Sequence, residues 1–334
     1  MLKVKYSPSS GVPVVKKVKE YFEMSEEYFI KFLLPSKYDY TIVDFSSNAD
    51  ICFVSVQHED NNLLKSNEIN IFMSVENMVP EKRTWYKFKN KFGHYDNKRI
   101  DTFIHNDVSQ NSVTMESDVS VIPTVYFRIN YFLNNPVELP SIPFSSKHLC
   151  LFVSRNGLNE NKANLWDYLE LEYSKDIHHI SQYYSKIGSA SCYSSDELLN
   201  VFSKYKFIVV MENTHQPGYI TEKIFNVFQA GAIPIYDGAP DICNFIDPES
   251  FLSFNDDDLL EKIDYLKDNE KEYNKIINAQ KINSSIIDNI TKTTQNYLDD
   301  LLIKNPPSLS RSAKKRKKRE RRKMKIKEET KNLI

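Results

Sequence analysis

Residues 205–245 read YKFIVVMENTHQPGYITEKIFNVFQAGAIPIYDGAPDICNF, and this one stretch passes from an apolar run through a polar loop and a helical pattern to a second apolar run. Residues 206–211 and 232–236 are short and rich in β-branched side chains, as strands covered on both faces of a parallel sheet are. Between them Ile220, Ile224, Val227 and Phe228 recur at helical spacing. Gly218 precedes the first turn, and Gly231 follows the last, where a left-handed C-cap belongs. The unit reads as a βαβ crossover. Its helix starts beside Glu212, Asn213 and Thr214, so free backbone N–H groups, the positive end of the helix dipole and the ammonium of Lys223 meet at one loop. A loop of that kind attracts phosphate.

The same residues resemble a block of the α1,3/4-fucosyltransferases, glycosyltransferase family 10, close to F-x-x-x-x-E-N-T-x-x-x-G-Y-[VI]-T-E-K-[IL] followed by I-P-[IV]-Y-W-G. This chain has FIVVMENTHQPGYITEKI and then IPIYDG. Asp237 stands where the family usually has Trp, a departure that bears on how the wall of the donor pocket is built. Weaker likeness extends over roughly residues 40–290. INIFMSVENMVP, from Ile69, resembles a strand and acidic turn in which Glu76 is the matching acid. TMESDVSVIP, from Thr114, is similar to a family segment at Ser117, Asp118 and Pro123. In SRNGLNENKANLWDYL, from Ser154, alignment on Asp167 puts Lys162 where the family has a phosphate-binding Arg, with Arg155 as an alternative cation.

Periodicity alone supports an α/β protein; the resemblance implies the GT-B architecture, two Rossmann-like domains facing across a cleft, plus a basic C-terminal tail. Residues 134–147, NNPVELPSIPFSSK, hold three prolines and no periodic pattern, and the domain boundary is placed there. The expected division is an acceptor-binding domain over residues 1–140, a GDP-sugar-binding domain over 141–305 and a tail over 306–334, disordered or helical. Candidate strands lie at residues 41–45, 50–56, 70–75, 101–104 and 148–153, with a helix about residues 165–171.

The resemblance implies an inverting, metal-independent fucosyltransferase that moves fucose from GDP-fucose to a glycan hydroxyl, α1,3 to GlcNAc or Glc. Inversion is an in-line displacement, so one base must face one cationic cradle. Glu76 matches the base. Lys223 is the principal diphosphate cation, Asn213, Tyr219 and Thr221 lie where phosphates or sugar are contacted, Glu222 accepts from a sugar or ribose hydroxyl, and Lys162 supplies the second cation. Lysine offers a point charge where arginine offers a planar fork, so the Lys162 exchange is not conservative. Read without the resemblance, Glu76 is equally a solvated turn residue and Arg155 a surface arginine.

No cofactor or metal is expected beyond the GDP-fucose donor. The triplet Asp256, Asp257 and Asp258 looks like a manganese-binding D-x-D, yet it directly precedes the amphipathic pattern of Leu259, Leu260, Ile263 and Leu266, where acidic residues cap a helix. His178 and His179 are adjacent and point apart, so they make poor ligands. The cysteines, Cys52, Cys150, Cys192 and Cys243, are dispersed, as in proteins of reducing compartments.

Lys and Pro interrupt every apolar stretch of MLKVKYSPSSGVPVVKKVKEYF, so no signal peptide or N-terminal anchor is expected and the chain reads as a bacterial-type member of the family, cytoplasmic or peripheral on a membrane. RSAKKRKKRERRKMKIK, residues 311–327, carries twelve Lys or Arg against one Glu, a net +11, so a chain of net charge −1 carries −12 outside it. Such a run solvates a tail, rests on an anionic membrane surface or, as the lesser alternative, binds nucleic acid. A second reading of the whole chain follows: a weak or inactive glycosyltransferase-fold protein acting through this tail on nucleic acid or membrane.

Overall fold

The computed structural model describes residues 1–6, 8–9, 12–13, 26–44, 46–55, 68–73, 102–105, 120–153, 160–183, 196–287 and 289–304. Glu76, Arg155, Ser117, Asp118, Cys192 and the basic run 311–327 lie outside the described residues. So does the side chain of Lys162, although its backbone belongs to a described helix.

Two parallel sheets occupy the two halves of the chain. The first contains β1 (Leu2–Tyr6), β2 (Tyr40–Ile42), β3 (Ile51–Ser55), β4 (Ile69–Met73), β5 (Thr102–His105) and β6 (Ser120–Pro123), in the order β2-β1-β3-β4-β5-β6. The second contains β7 (His148–Val153), β8 (Ile177–His179), β9 (Tyr205–Met211), β10 (Ile233–Asp237) and β11 (Leu252–Ser253), in the order β8-β7-β9-β10-β11. Every pairing within both sheets is parallel. Each order reverses once, between β1 and β3 and again between β7 and β9. In an open parallel sheet that reversal opens a crevice at the carboxyl ends of the strands, and ligands bind there.

The expected strands are present within three residues of their anticipated ends. Within these sheets β1, β6, β8 and β11 were not anticipated, nor was a two-residue antiparallel pairing of Pro8–Ser9 with Val12–Pro13 outside them. The helix expected about residues 165–171 runs over Glu160–Tyr173, and an additional helix covers Thr124–Asn134. We label the helices α1 (Glu26–Leu33), α2 (Thr124–Asn134), α3 (Glu160–Tyr173), α4 (Asp196–Phe202), α5 (Glu222–Gln229), α6 (Leu259–Asp268), α7 (Glu270–Asn278) and α8 (Ile290–Lys304).

One apolar core runs continuously through both halves. Phe29, Phe53 and Phe127 pack together on the first sheet, and Phe132 of α2 meets Phe225 and Phe228 of α5 at ring separations of 5.7 and 6.0 Å. Helix α8 returns the chain to the N-terminal half: Asp299 accepts from Lys37 at 2.6 Å and from Tyr38 at 2.7 Å. Among the described residues no helix is long and apolar enough to cross a membrane.

The acidic triplet behaves differently from the capping expectation. Asp258 is the residue before α6, yet its side chain makes no capping hydrogen bond; Asp256 and Asp258 instead hold Lys262 between them, each at 2.8 Å. A nearby ammonium competes for these carboxylates more strongly than a backbone N–H does.

Candidate active site

The loop after β9 and the start of α5 form one hydrogen-bonded unit at the carboxyl edge of the second sheet. Buried strand residues carry it: Phe207, Ile208, Val209 and Val210 are 0–2% exposed, and β9 pairs with β10 from Phe207↔Ile233 to Met211↔Asp237. The chain therefore enters the loop from a fixed point. Glu212 follows immediately, and its N–H donates to the carbonyl of Asp237 at 2.8 Å.

Thr221 precedes α5 in an extended conformation and does not cap the helix with its own side chain. Glu212 does so from across the loop. Its Oε1 accepts from the Thr221 N–H at 2.8 Å and the Thr221 hydroxyl at 3.0 Å. Oε2 accepts from the same hydroxyl at 2.8 Å and from Lys223 Nζ at 3.1 Å. A buried carboxylate at the positive end of a helix satisfies a donor the helix itself leaves open. Lys223 also donates to the Met211 carbonyl at 2.8 Å and to Asn213 Oδ1 at 3.4 Å, and its side chain is still 24% exposed.

Two glycines shape the loop. Gly218 has φ of 73° and donates its N–H to Asp241 Oδ1 at 2.8 Å, a left-handed conformation that side chains resist. Gly238 allows a close approach, since a Cβ there would lie 2.4 Å from the Tyr236 hydroxyl and 2.6 Å from Glu212 Cγ. At the far end of α5, Gly231 has φ of 64°, its N–H bonds to Phe228 O and that of Ala232 bonds to Val227 O, the paired pattern of a Schellman C-cap. The left-handed cap expected at Gly231 is present.

Of the residues singled out in the sequence, Asn213, Tyr219, Thr221, Glu222 and Lys223 lie together on this unit. Asn213 is exposed, whereas Tyr219 is 3% and Glu222 8% exposed. Glu222 was expected to offer its carboxylate to a sugar hydroxyl; here Oε2 accepts from Arg128 of α2 at 3.3 Å. Lys162 falls in the first turn of α3, the helix that follows β7 in the chain. Glu76 is three residues beyond the carboxyl end of β4.

Two contributors, Arg128 and Asp241, were not legible in the sequence, and neither was the partner of a third, Asp237. Arg128 reaches the site from the other half of the chain. Asp241 anchors Gly218 from a turn beyond β10. Asp237 is 8% exposed at its side chain and takes a 2.5 Å hydrogen bond from Nε2 of His215, whose own side chain is 58% exposed. The signal for the last pair was the departure from Trp at Asp237.

Tyr236, next to last in β10, is buried, and its hydroxyl accepts the Ala239 N–H at 3.0 Å. Burial, reinforced by the Glu212 carboxylate, raises its phenol well above the ordinary range, so it stays a neutral bracing group.

Two parallel sheets, each wound about its own reversal, with a hydrogen-bonded loop and helix start at the crevice of the second, are the arrangement of the GT-B class. The solved structures agree: an α1,3-fucosyltransferase crystallised with GDP aligns over 90% of both chains at 18% identity and a TM-score of 0.58, and one with GDP-fucose over 88% of this chain and 90% of the other at 19% and 0.54. Residues 142–303 match the glycosyltransferase family 10 (fucosyltransferase) C-terminal domain. The likeness to the family 10 fucosyltransferases lies in this C-terminal half of the chain.

Among curated relatives, a putative fucosyltransferase of Acanthamoeba polyphaga mimivirus is 38% identical over 88 residues, 25% of this chain and 15% of its own length. An α-(1,3)-fucosyltransferase of Helicobacter pylori is 42% identical over 66 residues, 20% of this chain and 14% of its own. A mouse 4-galactosyl-N-acetylglucosaminide 3-α-L-fucosyltransferase is 33% identical over 136 residues, 39% of this chain and 35% of its own length. The chain thus spans well under two thirds of these relatives.

Proposed function

We propose that this protein transfers fucose from GDP-fucose to a hydroxyl of a glycan acceptor, with inversion and without a metal, and that the bond formed is α1,3 to GlcNAc or Glc. The observation that carries the reading is the unit of Glu212, Thr221 and Lys223 at the carboxyl edge of the sheet, beside the crevice between β7 and β9. The positive end of α5 and a partly exposed ammonium there suit a leaving diphosphate. Lys162, in the first turn of the helix that follows β7, is the second cation in this reading. Asn213, Tyr219, Thr221 and Glu222 complete the donor-binding set.

Glu76 is the base. It follows the carboxyl end of β4 in the N-terminal half, and a base on the half opposite the diphosphate is what in-line displacement requires. The domain division at about residue 140 accompanies the proposal: acceptor bound by the first half, donor by the second.

Differential scanning fluorimetry with EDTA present tests the reading. GDP and GDP-fucose raise the melting temperature through ligand linkage, whereas UDP-glucose does not. Release of GDP from GDP-fucose on addition of a lactosamine acceptor proceeds at the same rate with and without EDTA. Activity that disappears on chelation and returns with manganese overturns the metal-independent assignment.

A further inference from the structure

The charges around the loop leave a need for one more cation. Among the described residues the unit brings together four carboxylates, those of Glu212, Glu222, Asp237 and Asp241. The fixed cations are Lys223 and Arg128. Lys223 lies 3.1 Å from Glu212, and Arg128 lies 3.3 Å from Glu222, so each is already opposed by a buried negative charge. A diphosphate arriving at this loop brings two further negative charges next to Asp237. The group that stands on Asp237 is His215, bonded through Nε2 and exposed on the rest of its ring.

We propose that His215, seated on Asp237, is a cationic contact of the donor loop for the diphosphate of the nucleotide sugar, and that Asp237 is the positioning residue that orients its ring. The proposal rests on the reading of the chain as a GDP-fucose transferase. The tautomer decides how it works. With Nε2–H donated to Asp237, a neutral imidazole has only a lone pair at Nδ1 and repels a phosphate oxygen. The imidazolium carries a proton at Nδ1 as well and donates to it. The proposed contact is therefore made by the imidazolium, whose charge also opposes the Asp237 carboxylate on which it is seated. The other charged groups on the surrounding elements, Glu212 and Lys223 at the ends of β9 and α5 and Asp241 beyond β10, are already paired or hydrogen-bonded, as described above. Replacement of the family's Trp by Asp at position 237 then exchanges an apolar wall for a proton-dependent charge.

Isothermal titration of the full chain with GDP-fucose, without acceptor, at about pH 6 and about pH 8 tests this. The sugar diphosphate has no group of its own that titrates in this interval, so the pH dependence belongs to the protein. His215 is exposed, and its variants are expected to fold. Wild-type protein binds more tightly at the lower pH by roughly fivefold or more, as a charge-assisted contact at a half-exposed site should. His215→Gln binds weakly at both, with that dependence lost, and His215→Lys binds tightly at both. A glutamine variant that matches wild type in affinity and pH dependence overturns the assignment, as does a lysine variant as weak as glutamine, which would leave a role of shape alone. Wild-type protein that fails to bind GDP-fucose at either pH overturns the donor reading itself, and His215 with it.

Discussion

Arg128, on the helix that leaves the N-terminal sheet, donates to Glu222 in the first turn of α5 across 3.3 Å, with only 9% and 10% of the two side chains exposed. The pair ties the start of α5 in one half to the core of the other. It sits beside the contact of Phe132 with Phe225 and Phe228, so charge and packing act on the same helix.

Removing one member of such a pair leaves the other buried and unopposed. Arg128→Met is therefore expected to destabilise the protein by about 3 kcal/mol. Glu222→Gln keeps an acceptor for the guanidinium and should cost less, roughly 1–2 kcal/mol. Urea denaturation of both variants checks the order, and a methionine variant as stable as wild type would contradict the assigned role.

Gly238→Ala places a methyl group within 2.4 Å of the Tyr236 hydroxyl and 2.6 Å of Glu212 Cγ. Both neighbours are buried and hydrogen-bonded, so the strand end has to shift, at a cost of about 1–3 kcal/mol. Because Glu212 braces Thr221 and Lys223, GDP-fucose affinity is expected to fall along with the melting temperature. Unchanged affinity in a destabilised variant would show that Glu212 does not transmit the disturbance to the loop.

Stability should rise with pH between about 8 and about 10. Burial depresses Lys147 and Lys281 to about 8, below the ordinary 10.5 of an exposed lysine; Lys147 donates to the Gly231 carbonyl and Lys281 to that of Ile276. Below the folded values both lysines are protonated in both states and the desolvation cost is fully present. Above them the folded form has released protons that the unfolded chain still holds, so unfolding becomes less favourable as pH increases. Melting temperatures at about pH 7.5 and about pH 9.5 check this. Lys147→Met with Lys281→Met should flatten the rise, and a wild-type curve that falls over this interval would refute it.

Glu76→Gln keeps the size of the side chain and removes the proton acceptor, so transfer should drop at least roughly 10²-fold while GDP-fucose affinity holds. Lys223→Ala should lower both, because its charge opposes the leaving diphosphate and its ammonium also holds Glu212 in place. Kinetics with both substrates varied separate the two. If the glutamine variant turned over at the wild-type rate, the base would be another carboxylate.

The βαβ unit of residues 205–237 was legible because its signals are local: β-branched runs, helical spacing and a glycine at the C-cap all lie within a few residues of what they specify. The family block within it marks where a donor is proposed to bind. Short strands escaped. Ile177–His179 and Leu252–Ser253 have two or three residues each, too few to show a period, and Leu2–Tyr6 is a strand only because β2 and β3 pair with it from 38 and 47 residues away.

Tertiary structure alone decided how the site's charges are matched. Glu212 reaches nine residues to Thr221, His215 twenty-two to Asp237 and Arg128 ninety-four to Glu222. In the unfolded chain each of these groups is hydrated and indifferent to its eventual partner. Burial removes the water, and the hydrogen bond or opposite charge that replaces it comes from whichever segment the sheet order and the α2–α5 contact bring alongside. The residue types and the chemistry they suit were written in the sequence; which carboxylate faces which cation, and so which charge is left for a ligand, was fixed only when the two halves packed.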